Sequence, residues 1–254
     1  MTGRSALVTG GARRIGRAIA LTLAAHGWDI AIHYGGSRDD AETLADEIRQ
    51  HDRRAAALAA DLAREDEVAE LMPRAAEAVG PLALLINNAS VFERDDALTV
   101  TRASWDRHLE TNLRAPFVLM QGFARQLPDG TDGAVVNILD ERVWNLTPYF
   151  VSYTVSKTGL WTLTQTMALA LAPRIRVNGI GPGPTLPSPR QSEEQFRRQV
   201  ELLPLRRGTT PDEIARAVMF ILESPAMTGQ MIVLDGGQHL NWAPTTSRVP
   251  PASE

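Results

Sequence analysis

Ser5-Ala6-Leu7-Val8-Thr9-Gly10-Gly11-Ala12-Arg13-Arg14-Ile15-Gly16 is the stretch on which the reading of the fold turns. Its short apolar run predicts a buried strand over 5–8, and the amphipathic spacing of 15–26 predicts a helix directly after the glycines. Glycine is needed where a chain turns tightly and where backbone must approach a neighbouring group without a Cβ in the way. A strand-to-helix turn of this kind aims the N–H groups of the helix N-terminus at an anion, and the pyrophosphate of a dinucleotide fits there. Gly10, Arg13, Arg14, Ile15 and Gly16 are therefore the candidate phosphate cradle. An ordinary loop between strand and helix would explain the glycines, but not their place immediately after the first strand.

Outward from this unit the same alternation continues. Runs rich in Val, Ile, Leu and Ala predict further strands at 29–34, 55–59, 83–87, 133–138, 174–180 and 230–234. Helical periods fall between them at 40–51, 65–79, 104–126, 151–171 and 211–222. Strands with little polar alternation suit a parallel sheet covered on both faces. The expected fold is a single α/β domain over 1–242: a Rossmann-type, doubly wound parallel sheet of about seven strands with helices on both faces. Two segments break the rhythm. The stretch 181–206 opens Gly-Pro-Gly-Pro after the sixth strand, where a long connection signals a binding loop, and 184–206 is read as a substrate loop that orders over a ligand. The last segment, 243–254, has too little apolar content to pack by itself and reads as a flexible tail or one docked on a neighbouring subunit.

Bulk properties remove several function classes. The 254 residues are enough to bury a sizeable core. A net charge of −4 gives no basic excess for a nucleic-acid backbone or an anionic membrane, so neither is expected as a partner. Cysteine is absent, which excludes disulfides, thiolate metal sites and cysteine nucleophiles. The five histidines are scattered, never at ligand spacing with a carboxylate, so no metal is expected. Ala6-Leu7-Val8 is too short for the core of a signal peptide, and no apolar run approaches the roughly 20 residues that span a bilayer, which points to a cytoplasmic protein.

The second strand decides the cofactor. Dinucleotide sites that take NAD place a carboxylate at its end to accept from the ribose 2′-hydroxyl. Here it ends His33-Tyr34-Gly35-Gly36-Ser37-Arg38, with no acid. A carboxylate would repel a 2′-phosphate, whereas Arg13, Ser37 and Arg38 can donate to one, so NADP (NADPH) is expected, with His33 and Tyr34 beside it. Asp61-Leu62, after the third strand, is placed beside the adenine. The bland readings are solvated arginines and a helix cap at Asp61.

Tyr153 and Lys157 are four apart in a helical segment and emerge on one face. A lysine ammonium there is expected to lower the phenol's pKa and so to make a workable acid. Alone, such a pair is more often a surface accident. Together with Thr9-Gly10 and Gly16, Asn87-Asn88-Ala89, Asn112 in a long helix, Asn178-Gly179-Ile180-Gly181-Pro182-Gly183 and Leu234-Asp235-Gly236-Gly237, it resembles the short-chain dehydrogenase/reductase family over nearly the whole chain. That resemblance implies that Tyr153 is the proton donor, that Lys157 grips the nicotinamide ribose, and that Asn112 holds a water in the proton path. It places Asn88, Ala89, Pro182 and Gly183 along the cofactor, and it implies a homotetramer packed through 104–126 and 151–171.

Two departures sharpen the resemblance. Where most of the family has a serine that helps polarise a carbonyl, this chain has Asp140. A carboxylate cannot donate to a carbonyl oxygen and repels the charge that grows on it, so it suits a substrate presenting N–H groups. Arg14 stands where the common turn has glycine. Both features, with His33-Tyr34, Ser37 and Asn88-Ala89-Ser90-Val91-Phe92, resemble the pteridine reductase branch. In that branch the residue matching Phe92 stacks on a flat pterin, and those matching Ser90 and Arg14 bond its polar edge. The resemblance implies NADPH-dependent reduction of a pterin C=N bond, with Asp140 orienting Tyr153 and accepting from a substrate N–H. Reduction of another small carbonyl or imine compound, with Asp140 incidental, is the alternative within the same chemistry. A catalytically idle NADP-binding sensor or scaffold is the alternative of another class; the intact Tyr153, Lys157 and Asn112 speak against it.

Overall fold

A computed structural model describes residues 4–188 and 190–241. The tail at 243–254 lies outside the described residues. The first three strands are each followed by a helix where the apolar spacing predicts one: β1 Ser5–Val8, α1 Arg14–Ala25, β2 Asp29–Tyr34, α2 Arg38–Arg49, β3 Ala55–Ala59, α3 Glu65–Val79, then β4 Leu84–Asn87. Then come α4 Arg102–Leu109, α5 Ala115–Gln126, β5 Gly133–Ile138, α6 Val151–Leu171, β6 Ile175–Pro182, α7 Glu193–Glu201, α8 Pro211–Glu223 and β7 Met231–Leu234. All seven strands pair in parallel in the order β3-β2-β1-β4-β5-β6-β7.

The absence of polar alternation in the strands has the cause inferred for it. Successive strand residues point to opposite faces, and both faces are covered. Ala6 and Val8 of β1, with Leu84 and Ile86 of β4, pack against apolar side chains of α1, α2 and α8, such as Leu23, Leu44 and Val218. Leu7 and Leu85, between them, face α3, α5 and α6 through Leu71, Phe123 and Met167. Strand order reverses between β1 and β4, so the loops leaving those two strands diverge and open a crevice at the carboxyl ends of the sheet. Most residues singled out for chemistry lie at or just after the carboxyl end of a strand, or on the helical segments carrying Asn112, Tyr153 and Lys157.

Two expectations need correction. The helix predicted over 104–126 is interrupted: one turn of π-helix, Glu110–Arg114, separates α4 from α5. The substrate loop is not irregular throughout, because α7 lies within it, started by a capping box between Ser192 and Gln195. Among the described residues no helix is long and apolar enough to cross a membrane.

Candidate active site

The glycine turn is held by backbone bonds from Thr9 N–H to Ile86 and from Gly11 N–H to His33, 3.0 Å each, and by side chains. The Asn88 amide donates to the carbonyls of Thr9 (2.9 Å) and Gly10 (3.0 Å), and the Thr9 hydroxyl accepts from the backbone N–H of Asn88 (2.9 Å) and Ala89 (3.1 Å). The turn after β1 is thereby fastened to the end of β4 across the switch point. Gly16 is obligatory in this packing, since a Cβ there would lie 2.2 Å from the Gly10 carbonyl oxygen and 2.7 Å from the Asn88 amide nitrogen. Arg14 has φ 53°, in the left-handed region, which explains why glycine is common at this place. Its guanidinium donates to the carbonyls of Leu186 (3.2 Å) and Pro187 (3.0 Å), joining the turn to the substrate loop.

His33, expected along the cofactor, lies beneath the turn instead. It is buried; its Nδ1 accepts from the Gly10 N–H at 3.1 Å and its Nε2 donates to the Ala60 carbonyl at 3.0 Å. Only the neutral ring can do both, and burial holds its pKa below the usual 6.5. The unfolded chain takes up this proton below about pH 6.5 while the folded one resists it, so stability falls as pH drops through that window and is unaffected above it. The expected outcome is a melting temperature of the nucleotide-free protein that declines from pH 7 to pH 5.5, with a shallower decline in His33→Asn. His108, whose pKa burial also lowers, leaves a residual slope.

At the far end of the crevice lie the residues expected beside a 2′-phosphate. Ser37 starts α2 without using its hydroxyl as a cap, and Arg38 is exposed beside it. Arg13 Nε donates to Asp40 at 2.6 Å, so this guanidinium would be shared between an acid and a phosphate. Asp61 accepts from the Ala63 N–H (2.9 Å) in a local turn rather than as the cap of α3, whose N-cap is Arg64, and Leu62 is buried in the core. Tyr34 is buried too.

Asp140, Tyr153 and Lys157, the residues expected to carry the chemistry, lie together on the cavity wall. The Tyr153 hydroxyl donates to Asp140 Oδ2 at 2.7 Å, and the other oxygen, Oδ1, accepts from the Arg142 N–H at 2.8 Å, so Asp140 also caps the short 3₁₀ turn Glu141–Val143. Asp140 thus caps a turn and orients the Tyr153 hydroxyl at the same time. Lys157 is buried, and its ammonium donates to the Ile138 carbonyl at 2.8 Å, 5.8 Å from the centroid of the tyrosine ring. The lysine-lowered phenol expected from the four-residue spacing is not found. Burial and then the neighbouring Asp140 charge push Tyr153 well above its usual 10, with only Arg142 acting in the opposite direction. Burial also brings Lys157 down to about 8, against the pull of Asp140. The phenol thus keeps its proton until a stronger base is created beside it.

Asn112 sits in the π-helical turn, a form that recurs at functional sites. Its side chain is spent on the protein: Oδ1 accepts from Val91 N–H (2.8 Å) and Ser90 Oγ (3.3 Å), while Nδ2 donates to Val91 O (2.9 Å) and Ser156 Oγ (3.1 Å). This amide therefore fixes the strand end that carries Ser90 and Phe92, and a water in the proton path would need another of its groups, such as the backbone carbonyl. Phe92 stacks on Phe150 (centroids 4.5 Å, planes 6° apart) and meets Tyr153 edge-on at 4.7 Å. One face is thereby taken, leaving at most one for a substrate. Phe150, at φ 59°, begins α6 in a conformation that is costly for an aromatic residue. Its N–H bond to the Asp95 carbonyl (2.7 Å) and its stack on Phe92 hold it there.

Arg14, Ile15, Asn88, Ser90, Phe92, Asp140, Tyr153, Lys157, Pro182 and Gly183 converge on one cavity of about 300 Å³. The sequence reading missed Glu141 and Arg142 on its wall. Glu141 is buried with one oxygen unpartnered, and burial beside Asp140 and Asp235 lifts its pKa to about 8, so it is protonated at neutral pH. Arg142 lies over the rings of Phe150 (4.7 Å) and Phe92 (5.7 Å). A buried Asp95, Ser152 and His108 cluster also went unnoticed. Ser152 Oγ donates to Asp95 and lies 2.8 Å from His108 Nδ1, while His108 Nε2 accepts from the Glu93 N–H at 3.1 Å. A serine that gives its proton to the acid rather than to the histidine is no activated nucleophile; the cluster anchors the start of α6 and so the height of Tyr153.

Comparison with known proteins agrees with this geometry. Residues 10–239 match a family model described as enoyl-(acyl carrier protein) reductase. The 3-oxoacyl-[acyl-carrier-protein] reductase FabG of Staphylococcus epidermidis is 33% identical over 242 residues, covering 93% of this chain and 99% of that protein. Among solved structures, FolM alternative dihydrofolate reductase 1 from Brucella canis, complexed with NADP, superposes with TM-score 0.90 at 48% identity over 96% of this chain and 97% of that one. The protein of the same description from Brucella suis, also with NADP, gives 0.91 at 50% identity, covering 94% and 96%.

Proposed function

The chain belongs to the short-chain dehydrogenase/reductase family, and from that premise we propose that it is an NADPH-dependent reductase of a pterin C=N bond. The observation that carries the substrate class is the Asp140 carboxylate accepting the Tyr153 hydroxyl at the place where carbonyl reducers need a donor. Two further features support it: Phe92 on the cavity wall brings an aromatic ring suited to a planar heterocycle, and the Brucella proteins with about half of their residues identical are described as alternative dihydrofolate reductases.

The residues present fit NADP. The turn at Gly10–Gly16 opens α1 toward a pyrophosphate, no carboxylate closes the end of β2, and Ser37 and Arg38 have donors to spare. When bound, NADPH supplies the hydride that the ring carbon of the C=N bond receives. Tyr153 gives its proton to the ring nitrogen as negative charge develops there, which overcomes the reluctance of a buried phenol to ionise. Asp140, released from the tyrosine hydroxyl, accepts from a substrate N–H and keeps the ring in plane with the donor. Lys157 holds the ribose side of the cofactor and steadies the phenolate left behind. Exposed apolar side chains on α6, Val155 and Leu169, support a homotetramer packed through that helix.

A second reading, reduction of a 3-oxoacyl thioester, is favoured by the FabG relative at 33% identity. Asp140 opposes it, for want of a donor to the ketone oxygen. NADPH oxidation measured side by side with 7,8-dihydropterins, a 3-oxoacyl thioester and simple ketones separates the two. Turnover of the dihydropterins is expected; turnover of the ketones alone would end the pterin reading.

A further inference from the structure

Glu141 is a buried ionisable side chain to which the hydride and proton steps assign no part. It lines the same cavity as Tyr153, yet it is only 4% exposed, and its Oε2 is buried with no hydrogen-bond partner among the described residues. Gln238, from the turn that follows β7, lines the cavity as well, and its Oε1 is buried without a partner in the same way. The two residues open short 3₁₀ turns, Glu141–Val143 and Gln238–Leu240, and an acid pins each turn. Asp140 accepts from the Arg142 N–H (2.8 Å), and Asp235 accepts from the Gly237 and His239 N–H groups (2.9 and 2.7 Å). Asn145 joins the two segments by donating to the Gln238 carbonyl at 3.3 Å.

The charged groups around Glu141 are engaged with other partners. Tyr153 gives its hydroxyl to Asp140, His239 Nδ1 meets Asp235 at 2.7 Å, and the Arg142 guanidinium lies over Phe150 and Phe92. A polar oxygen buried without a donor costs stability, and a fold that retains two of them on the wall of its reaction cavity holds them for a ligand that brings donors. An amino group or a ring N–H supplies what both oxygens lack.

We infer that Glu141 and Gln238 receive the amino-bearing edge of the substrate, their side chains turning toward the ring as it enters, so that the protein prefers a 2-aminopterin to a ring of the same size with oxygen at that position. The inference rests on the pterin reading and adds to it which part of the ring is recognised. A binding carboxyl kept at a cost to the fold has a signature even without substrate. Burial, then Asp140 and Asp235, hold the Glu141 proton up to about pH 8 against the pull of Arg142, whereas the unfolded chain releases it above about 4.5. Stability therefore falls as pH rises through that window.

The test sets 7,8-dihydropterin against 7,8-dihydrolumazine, which has a 2-oxo group in place of the amino group, with NADPH and the intact protein. KM for the dihydropterin is expected to be lower by about tenfold, the equivalent of one well-placed hydrogen bond. Glu141→Leu and Gln238→Leu should each raise the dihydropterin KM and bring the two values to within about threefold. Glu141→Gln, which keeps an oxygen, should hold the preference. Glu141→Leu should also melt no lower than the unmodified protein, with a gain that grows as pH rises from 5 toward 8. Equal KM values for the two compounds in the unmodified protein, with both reduced, would overturn the assignment of this edge alone. A Glu141→Leu protein that melts lower and keeps the preference would overturn it too, since that is the behaviour of a purely structural carboxyl. Failure of both compounds to be reduced or to bind would overturn the assignment and the pterin reading together.

Discussion

Tyr153→Phe is expected to lower kcat/KM for a dihydropterin by about 10²–10⁴, the range that one general acid contributes, while the dissociation constant for NADPH and the melting temperature move little. The loss is confined to chemistry because of where the hydroxyl sits. Its one hydrogen bond is to Asp140 on the cavity wall, and water can take its place when it is removed, so no buried acceptor is stranded. The ring itself, packed edge-on against Phe92, remains. Stopped-flow NADPH oxidation with a parallel fluorescence titration checks both halves. Activity retained within a few-fold would show that the proton comes from elsewhere, and would revive the reading of an idle nucleotide binder.

Asp140→Ser should exchange one substrate class for another. Serine can still start the turn at Glu141–Val143, because a hydroxyl caps as a carboxylate does. What changes at the reacting end is the sign of the hydrogen bond. A hydroxyl can donate to a carbonyl oxygen, where a carboxylate could only accept. The dihydropterin kcat/KM is expected to fall by about 10²-fold, and turnover of a ketone or 3-oxoacyl thioester to rise above the wild-type level by a comparable factor, as for gain of an oxyanion donor. Both substrate classes falling together would mean that Asp140 is only a cap for the turn. Loss of the Asp140 charge should also bring the phenol of Tyr153 down, since that charge is one of the influences raising it. The basic limb of the pH–rate profile should then move to lower pH.

Much of this was legible in the sequence, for identifiable reasons. The strands were readable because a parallel sheet covered on both faces leaves few polar positions in its short runs, as in Leu84-Leu85-Ile86 of β4. The glycine turn was readable because Gly16 has no room for any side chain. The four-residue spacing of Tyr153 and Lys157 gave their shared helical face but not the ionisation of the phenol, which is governed by burial and by Asp140, thirteen positions away. The structural tasks of the His33 and Asn112 side chains were not legible, since both spend their hydrogen bonds on protein partners remote in sequence: Gly10 and Ala60 for one, Val91 and Ser156 for the other. Helix α7 was missed although its capping box, Ser192 to Gln195, stands in the sequence; the prolines before it had marked the whole segment as loop. The aromatic and cationic wall of Phe150 and Arg142 carries no local signal, because the contacts that define it join the loop after β5 to the one after β4.

The central claim is that a hydride from NADPH and a proton from Tyr153 are delivered across a C=N bond of a pterin. Its most direct test uses NADPH deuterated at the transferable position, a 7,8-dihydropterin and the purified protein, with the product read by mass spectrometry and NMR. One deuterium on the ring carbon of the former C=N bond is the expected result. A pterin recovered unlabelled, while a 3-oxoacyl thioester in the same mixture takes up the label, would contradict it.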